Sequence, residues 1–313
     1  MSITYYGEKE CEAFVQSTKK KCTNYAYFTS NNTLMCGVHS KKDKNREKLP
    51  INPNKKQMEE DLLKEREKEI ENSAKLNKEN GKIGHVIVSK MFMMKNPQYV
   101  KGYLNVFPNY KHQFRKDGFG CMKLSPKSLG PVIHNMPGLP PANTIENYHQ
   151  FSKFWKFELD DDGNILEKYK EERIKAYKSL EPMRHKYDIK TLKQYNKNVN
   201  IPEFSMYYDK DGNEHRYNYL QCRYFYCHFY ELLVVKENDF NELKEKIKNG
   251  INLNICGFDG YSVSDKLYEH YLDTSKPFGH ELVLYTMLIE EDSSKYPWNI
   301  YYEENKSIYE NVI

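Results

Sequence analysis

The hydrophobic positions of this chain fall into three stretches with different spacing. Between residues 51 and 82, KKQMEEDLLKEREKEIENSAKLNKENGK is charged at most positions, with Met58, Leu62, Leu63, Ile70 and Leu76 as its apolar residues. Strong helix formers carrying mixed-sign charge predict a solvated helical arm, with too few apolar positions to define a coiled coil. Asn80-Gly81 ends it. From Ile83 the pattern changes. HVIVSKMFMM has the apolar run of a buried strand, GYLNVF reads as a second strand before Pro108, and INLNICGFDGY as a third, closing in a Gly-x-x-Gly loop. Helical spacing is expected over 144–156, 166–179, 218–235, 238–249 and 278–290. Asp239 is placed to cap the fourth of these helices and Gly250 to stop it. In the last, Phe278, Leu282, Tyr285 and Leu288/Ile289 recur at helical intervals after Pro277. DDDGN (160–164) and YDKDGNEH (208–215) are turn signals. The second predicts a hairpin, and neither has the twelve-residue ligand register of a calcium loop. The pattern predicts a helix-rich α+β domain over 83–313, preceded by the arm (51–82) and a small module (1–50).

Composition narrows the class. The chain has 313 residues, 29% charged and 39% hydrophobic, a soluble globular balance. It contains no apolar run of 18 residues, so no membrane span is expected. MSITYYGEKE lacks an apolar signal core, so secretion is not expected. The net charge of +4 is too mild to imply nucleic acid for the whole chain, but the basic residues are uneven. Lys19, Lys20 and Lys21 sit in the first module, and Lys41, Lys42, Lys44, Arg46 and Lys48 form a basic tail behind it. This patch reads equally as a phosphate-binding surface or as solvated surface.

The first module carries the sharpest chemical signal. Cys11, ten residues, Cys22, thirteen residues, Cys36, two residues and His39 supply three thiolates and an imidazole, the donor set of a tetrahedral structural zinc site. Two intervening residues between Cys36 and His39 let one turn present both ligands, and Gly37 gives that turn its freedom. Seven cysteines in all, several of them assigned to metal, fit a reducing compartment better than a disulfide scaffold.

In the main domain one segment stands out: LSPKSLGPVIHNMPGLPPANTIENYHQFSKFW, residues 124–155. A proline-rich loop runs into a helix start at Asn143-Thr144. Glu146, Gln150 and Lys153 then follow at helical spacing, bringing a carboxylate, an amide and an amine to one face. The same triplet also occurs on solvated helix faces. In VFPNYKHQFRKDGFG, Lys111, His112, Arg115 and Lys116 are interleaved with aromatic rings, a pattern that grips a nucleotide by charge and stacking or forms a structural edge. RYFYCHFYELL (223–233) reads as a core helix with one polar side. His280-Glu281 lacks the second histidine of a helical zinc motif, since position 284 is Leu.

The 124–155 segment resembles the signature of the NADAR family. Leu124-Ser125, Pro131-Val132, Pro140 and Ile145-Glu146-Asn147-Tyr148-His149-Gln150-x-x-Lys153 follow the family's order. FNELKEKIKNGINLNICGFD (240–259) and PFGHELVLYTMLI (277–289) resemble its later helix, strand and closing helix. The similarity covers 124–155 and 222–289. It implies an N-glycosidase-type hydrolase that cleaves a C–N bond at a ribose carbon, with a ribosylated nucleotide or ADP-ribose-like ligand. Glu146 is then the catalytic carboxylate, and Lys153 holds phosphate or the opened sugar. Gln150, Lys111, His112, Arg115, Asp259 and Tyr261 are the substrate-binding candidates. The family's tryptophan before the last helix has no counterpart in GFDGYSVSDKLYEHYLDTSKPFG, where Asp259, Asp265 or Asp273 is left to supply the acid and Tyr261 the stacking ring. The whole chain also resembles proteins of giant DNA viruses that infect protists, in its CGVHSKK, NVFPNYKHxxRKDGFG and LSPKSLGP stretches; 27 tyrosines and abundant Lys and Asn suit an AT-rich genome. That likeness implies the host cytoplasm or the virion as its location. The alternative function is a non-catalytic nucleic-acid-associated scaffold or adaptor, using the zinc module and its basic tail for contact.

Overall fold

A computed structural model describes residues 3–93, 95–134, 136–185, 202–209, 211–263 and 266–301. The contacts divide the chain into two units, Met1–Lys68 and Glu69–Ile313.

In the first unit, strands β1 (Phe28–Ser30), β2 (Thr33–Met35) and β3 (Glu47–Lys48) form an antiparallel sheet in the order β2-β1-β3. Asn31 and Asn32 both adopt positive φ, as the tight two-residue hairpin between β1 and β2 requires. The centre of this unit is sulfur: Cys11, Cys22 and Cys36 are buried, with only Ala13 and Val15 packed against them. A metal held by these sulfurs would add cohesion where apolar side chains are few.

Helix α1 (Lys55–Glu79) begins in the first unit and ends in the second, and buries no residue completely. Its first turns carry the expected surface pairs, Lys55–Glu59 and Lys56–Glu60. Its later turns correct the expectation of a solvated arm. Glu69 accepts a hydrogen bond from Tyr99 and pairs with Lys101 at 3.4 Å, Ser73 Oγ accepts from Asn252 Nδ2 at 2.8 Å, and Asn77 Nδ2 donates to the Gly250 carbonyl at 2.8 Å. The docking stripe is polar, and apolar periodicity is blind to it.

The second unit is built on a parallel sheet. Strands β4 (Val86–Lys90), β5 (Tyr103–Phe107) and β6 (Phe119–Gly120) coincide with two of the predicted strands and add a short edge. Helix α2 (Ile145–Phe151) is shorter than the predicted 144–156. Ser152 Oγ turns back to the Tyr148 carbonyl (2.7 Å), and the chain leaves the helix to form β7 (Lys153–Phe154). Pairing outweighs helical spacing here: Lys153 lies opposite Ser205, and Met206 N–H donates to the Ser152 carbonyl at 2.8 Å. Helix α3 (Glu167–Lys178) follows, and strands β8 (Phe204–Tyr208) and β9 (Glu214–Tyr217) then make the predicted hairpin, giving a second sheet in the order β7-β8-β9.

Helices α4 (Tyr219–Val234) and α5 (Asn238–Lys248) lie where the pattern put them. Asp239 sits inside the first turn of α5 and does not cap it, since the cap position is Glu237. Gly250 does stop the chain, at φ +79°, and a Cβ there would fall 2.7 Å from the Ala74 carbonyl oxygen of α1. Strand β10 (Asn252–Gly257) then enters between β4 and β5 and is buried at every residue. Helices α6 (Leu267–Leu272) and α7 (His280–Ile289) complete the unit. One core cluster includes Val88, Val106 and Ile255 of the sheet, the rings of Tyr148, Tyr207, Phe225 and Phe229, and Leu282 through Tyr285. The architecture is α+β. Among the described residues, no helix is long and apolar enough to cross a membrane.

His134 shows how tightly the core is closed. It is 4% exposed, its Nε2 donates to the Pro140 carbonyl (2.9 Å), and its Nδ1 accepts from Met136 N–H (3.1 Å). This pairing suits the neutral ring only. Burial, and then the Arg173 charge, hold its pKa down at about 4 against the Pro140 carbonyl, which raises it. The unfolded chain therefore binds a proton that the folded one refuses. Stability is full above pH 6.5 and is lost as pH falls through that value towards 4. Urea unfolding of the second unit at stepped pH should show this group's share, on the order of 3 kcal/mol between those limits, disappear in His134→Asn.

Candidate functional site

Two places bring reactive side chains together. The first is in the small unit. Ligand atoms of Cys11, Cys22, Cys36 and His39 all lie within 4.8 Å of one another. His39 Nδ1 stands 3.4 Å from both Cys11 Sγ and Cys36 Sγ. The short β1–β2 hairpin returns the chain so that Cys36 meets the earlier cysteines. Burial works to raise the Cys36 thiol, but hydrogen bonds from the backbone at His39 and Val38, and then side-chain bonds to Cys11 and Asn24, outweigh it and bring its pKa to about 7. Cys22 is raised, by burial first. A poised thiolate, two buried thiols and an imidazole converging on one point fit a single metal ion, which would supply the electrostatic cross-link that the unit's side chains do not.

The second place is a cleft of about 230 Å³ in the larger unit. Helix α2 contributes Glu146, His149 and Gln150, and β7 contributes Lys153. Helix α4 contributes Tyr219, Cys222, Arg223 and Tyr226, and the loop after β10 contributes Asp259. Pro277, Phe278 and Gly279, just before α7, complete the lining.

Local bonding explains why α2 is rigid enough to present these groups. Thr144 Oγ1 caps it by accepting from Asn147 N–H (3.1 Å). The amides of Ile145 and Glu146 donate to the carbonyls of Leu129 and Pro126, so the LSPKSLGP loop is the platform under the helix start. Asn147, fully buried, rivets the other side. Its Nδ2 donates to the carbonyls of Ala176, Ser179 and Glu181, and its Oδ1 accepts from Met183 N–H at 2.6 Å. Gln150 Nε2 lies 3.4 Å from Glu146 Oε1, a long contact that leaves the carboxylate available.

The cleft is electrostatically mixed. Burial lowers the pKa of Lys153, against the pull of Cys222 and Glu146, which raise it. His149 is pushed well below its usual range by burial and then by Lys153, so it is neutral. Tyr226 is raised by burial, then by Glu281 and Glu146. Arg223 donates to the carbonyls of Tyr271, Asp273 (3.0 Å) and Lys276. This charge pins the segment that leads to Pro277–Gly279, over a Tyr219 ring 4.9 Å away. Asp259 is exposed at the cleft mouth, yet its pKa is raised by the protein packed around its carboxyl and by the charge of Glu281.

The structure brings Glu146, Gln150, Lys153 and Asp259 to one cleft. Lys153 reaches it from a strand and not from the helix that carries Glu146, as its spacing had suggested. Lys111, His112, Arg115 and Tyr261 do not line it. Arg115 is bound to Asp117 at 2.8 and 2.6 Å, and His112 lies edge-on to Phe107. The Tyr261 hydroxyl accepts from Lys90 Nζ (3.0 Å), and Lys111 is exposed. Asp273 is occupied by Ser275 and Lys276, and Asp265 lies outside the described residues. Sequence reasoning missed the α4 wall. Tyr219, Cys222, Arg223 and Tyr226 recur at i, i+3, i+4 and i+7, the signal of one helix face, but their aromatic company made that face look like core. No protein-family model, curated protein or solved structure matches the chain.

The metal cluster yields a direct expectation. Purified, reduced protein should carry one metal ion per chain by elemental analysis. Cys36→Ser should lose the ion and unfold the first unit, while thermal melting of the second unit stays unchanged, because the large core contains none of these cysteines.

Proposed function

We propose that the second unit binds a ribosylated nucleotide or ADP-ribose-type ligand in the α2–β7–α4 cleft and hydrolyses its N-glycosidic bond. The observation that carries this reading is the meeting of Glu146, Gln150 and Lys153 with Asp259 around one concavity, although they come from different elements. A C–N glycosidic bond breaks through a state with positive charge on the ribose carbon. Glu146, half-buried and loosely held, is suited to stabilise that charge or to take a proton from the attacking water. Gln150 and Lys153 offer donors for sugar hydroxyls or phosphate. The Tyr226 and Tyr219 rings supply surfaces for the leaving base. The NADAR-like order of residues 124–155 supports the same assignment. The resemblance to giant-virus proteins supports the infected host's cytoplasm or the virion as the setting of this activity.

The first unit is, in this reading, a structural zinc module. Three sulfurs and one imidazole nitrogen are zinc's usual closed donor set, with Zn–S ~2.3 Å and Zn–N ~2.0–2.1 Å. Its exposed Lys41, Lys42, Lys44, Arg46 and Lys48 favour contact with nucleic-acid phosphates. The non-catalytic alternative, a nucleic-acid-associated scaffold, draws on the same exposed residues.

Two measurements separate these readings. Purified protein screened against ADP-ribose, nucleotides and ADP-ribosylated nucleic acid should release the base or free ADP-ribose. Glu146→Gln should abolish turnover with a stability change within about 0.5 kcal/mol, as for a surface substitution outside the core; equal single-turnover rates for both proteins remove Glu146 from the mechanism. Affinity for random DNA or RNA should fall with salt by roughly one log–log unit per phosphate contact, and a triple Lys41, Lys42 and Lys44 to Ala variant should weaken it uniformly across sequences.

A further inference from the structure

Behind the part of the cleft wall formed by Asp259 and Gly279 sits a carboxylate that does not line the cleft. Glu281, in the first turn of α7, is 1% exposed. Its Oε2 is buried and meets no hydrogen-bond donor. His280 Nδ1 stands 3.2 Å away without hydrogen-bond geometry, while the other ring nitrogen of His280 is engaged by the Pro108 carbonyl at 2.8 Å. The backbone around this side chain has been cleared for it. A Cβ on Gly257 would lie 1.8 Å from Glu281 Oε1 and 2.1 Å from its Cγ. A Cβ on Gly279 would lie 2.6 Å from Glu281 Oε2, 2.7 Å from Asp259 Cβ and 3.5 Å from Asp259 Oδ2. Two positions without side chains therefore seat one buried acid, and they seat it against a second acid. Packing alone does not call for this. A leucine would fill the same space without burying a charge or leaving an oxygen unpaired.

We propose that Glu281 is the positioning residue of the cleft: lodged between Gly257 and Gly279, it fixes Asp259 and, by like-charge repulsion, makes Asp259 the group that delivers a proton to the leaving nitrogen. The role rests on the N-glycosidase reading above. As the ribose carbon–nitrogen bond breaks, its electron pair goes to the nitrogen and the Asp259 carboxyl gives that nitrogen its proton. Water adds its oxygen to the ribose carbon and passes its proton to Glu146. Solvent then takes the proton from Glu146 and returns one to Asp259, which is exposed at the mouth. The electrostatics agree with the geometry. Crowding by protein and then the Glu281 charge raise Asp259, with His280 and Lys90 acting against them. Glu146, Lys153 and Arg223 are the remaining charges on the cleft wall.

The test is the titration of Asp259 itself in the intact chain, followed by carbon NMR of protein labelled at aspartate carboxyls and assigned with Asp259→Asn. The wild-type midpoint should lie above the ordinary aspartate range, and in Glu281→Gln it should move to lower pH. An unchanged midpoint in folded Glu281→Gln overturns the proposal. If that variant does not fold, Glu281→Leu, which fills the same space without the charge, carries the test: the midpoint should again move to lower pH, and no movement overturns the proposal equally. The readout needs no turnover. A shifted midpoint in a protein without glycosidase activity refutes the function proposed above, whereas an unshifted midpoint in an active enzyme refutes the role of Glu281 alone.

Discussion

Strand β10 is the constraint on which the larger unit depends. It pairs in parallel with β4 on one side and β5 on the other, and every one of its residues is buried. A fully buried parallel strand must satisfy its polar groups within the protein. Asn252 at its start does so by accepting from His85 N–H (2.8 Å) and from Asn77, and by donating to Ser73. Asn254 donates to Asn105 on the neighbouring strand at 2.9 Å, while its own buried Oδ1 meets no donor. The same ladder that fixes the sheet recruits the end of α1 and aims the β10 terminus at the cleft. The carboxyl ends of parallel strands are where open sheets of this kind place ligand loops, and Asp259 stands two residues beyond the last position of β10.

The two units solve the problem of cohesion differently. The larger one closes a core dominated by aromatic rings, such as the stacked pair Tyr207 and Phe225 at 3.9 Å. The smaller one gathers sulfur where a core would be. Its sheet is short, and its β1–β2 turn is made by two asparagines with positive φ. The first unit thus converges on a cluster of donors suited to a metal ion, and the second on buried apolar area.

Much of this was legible in the residues. The stretches HVIVSKMFMM, GYLNVF and INLNICGFDGY read as strands, and β4, β5 and β10 lie within them, while helical spacing marked most of the long helices. The convergence of Cys11, Cys22, Cys36 and His39 was legible from donor type and spacing. What escaped was decided by partners distant in sequence. Ser152 ends α2 because β8 is there to pair with the next residues. The later half of α1 docks through Glu69, Ser73 and Asn77, a stripe that carries no hydrophobic signature. Arg223 looked like one polar residue in an aromatic helix, yet the carbonyls it binds lie some fifty positions further along the chain. Glu281 was equally hidden, since the bare backbone that makes room for it includes Gly257, more than twenty residues earlier, as well as the nearby Gly279.

That seat has an evolutionary consequence. Gly257, Gly279 and Glu281 are sterically linked, because a side chain at either glycine would meet the Glu281 carboxylate. An alanine at 257 would displace the Glu281 carboxylate, so a side chain is gained there only after the acid has been lost, while at 279 it would meet the Asp259 Cβ as well. Once a methyl group has filled the space, restoring glutamate at 281 is sterically closed until the glycine returns. Descendants of this chain are thereby held to one order of substitution, and that order runs more easily away from the buried acid than back to it.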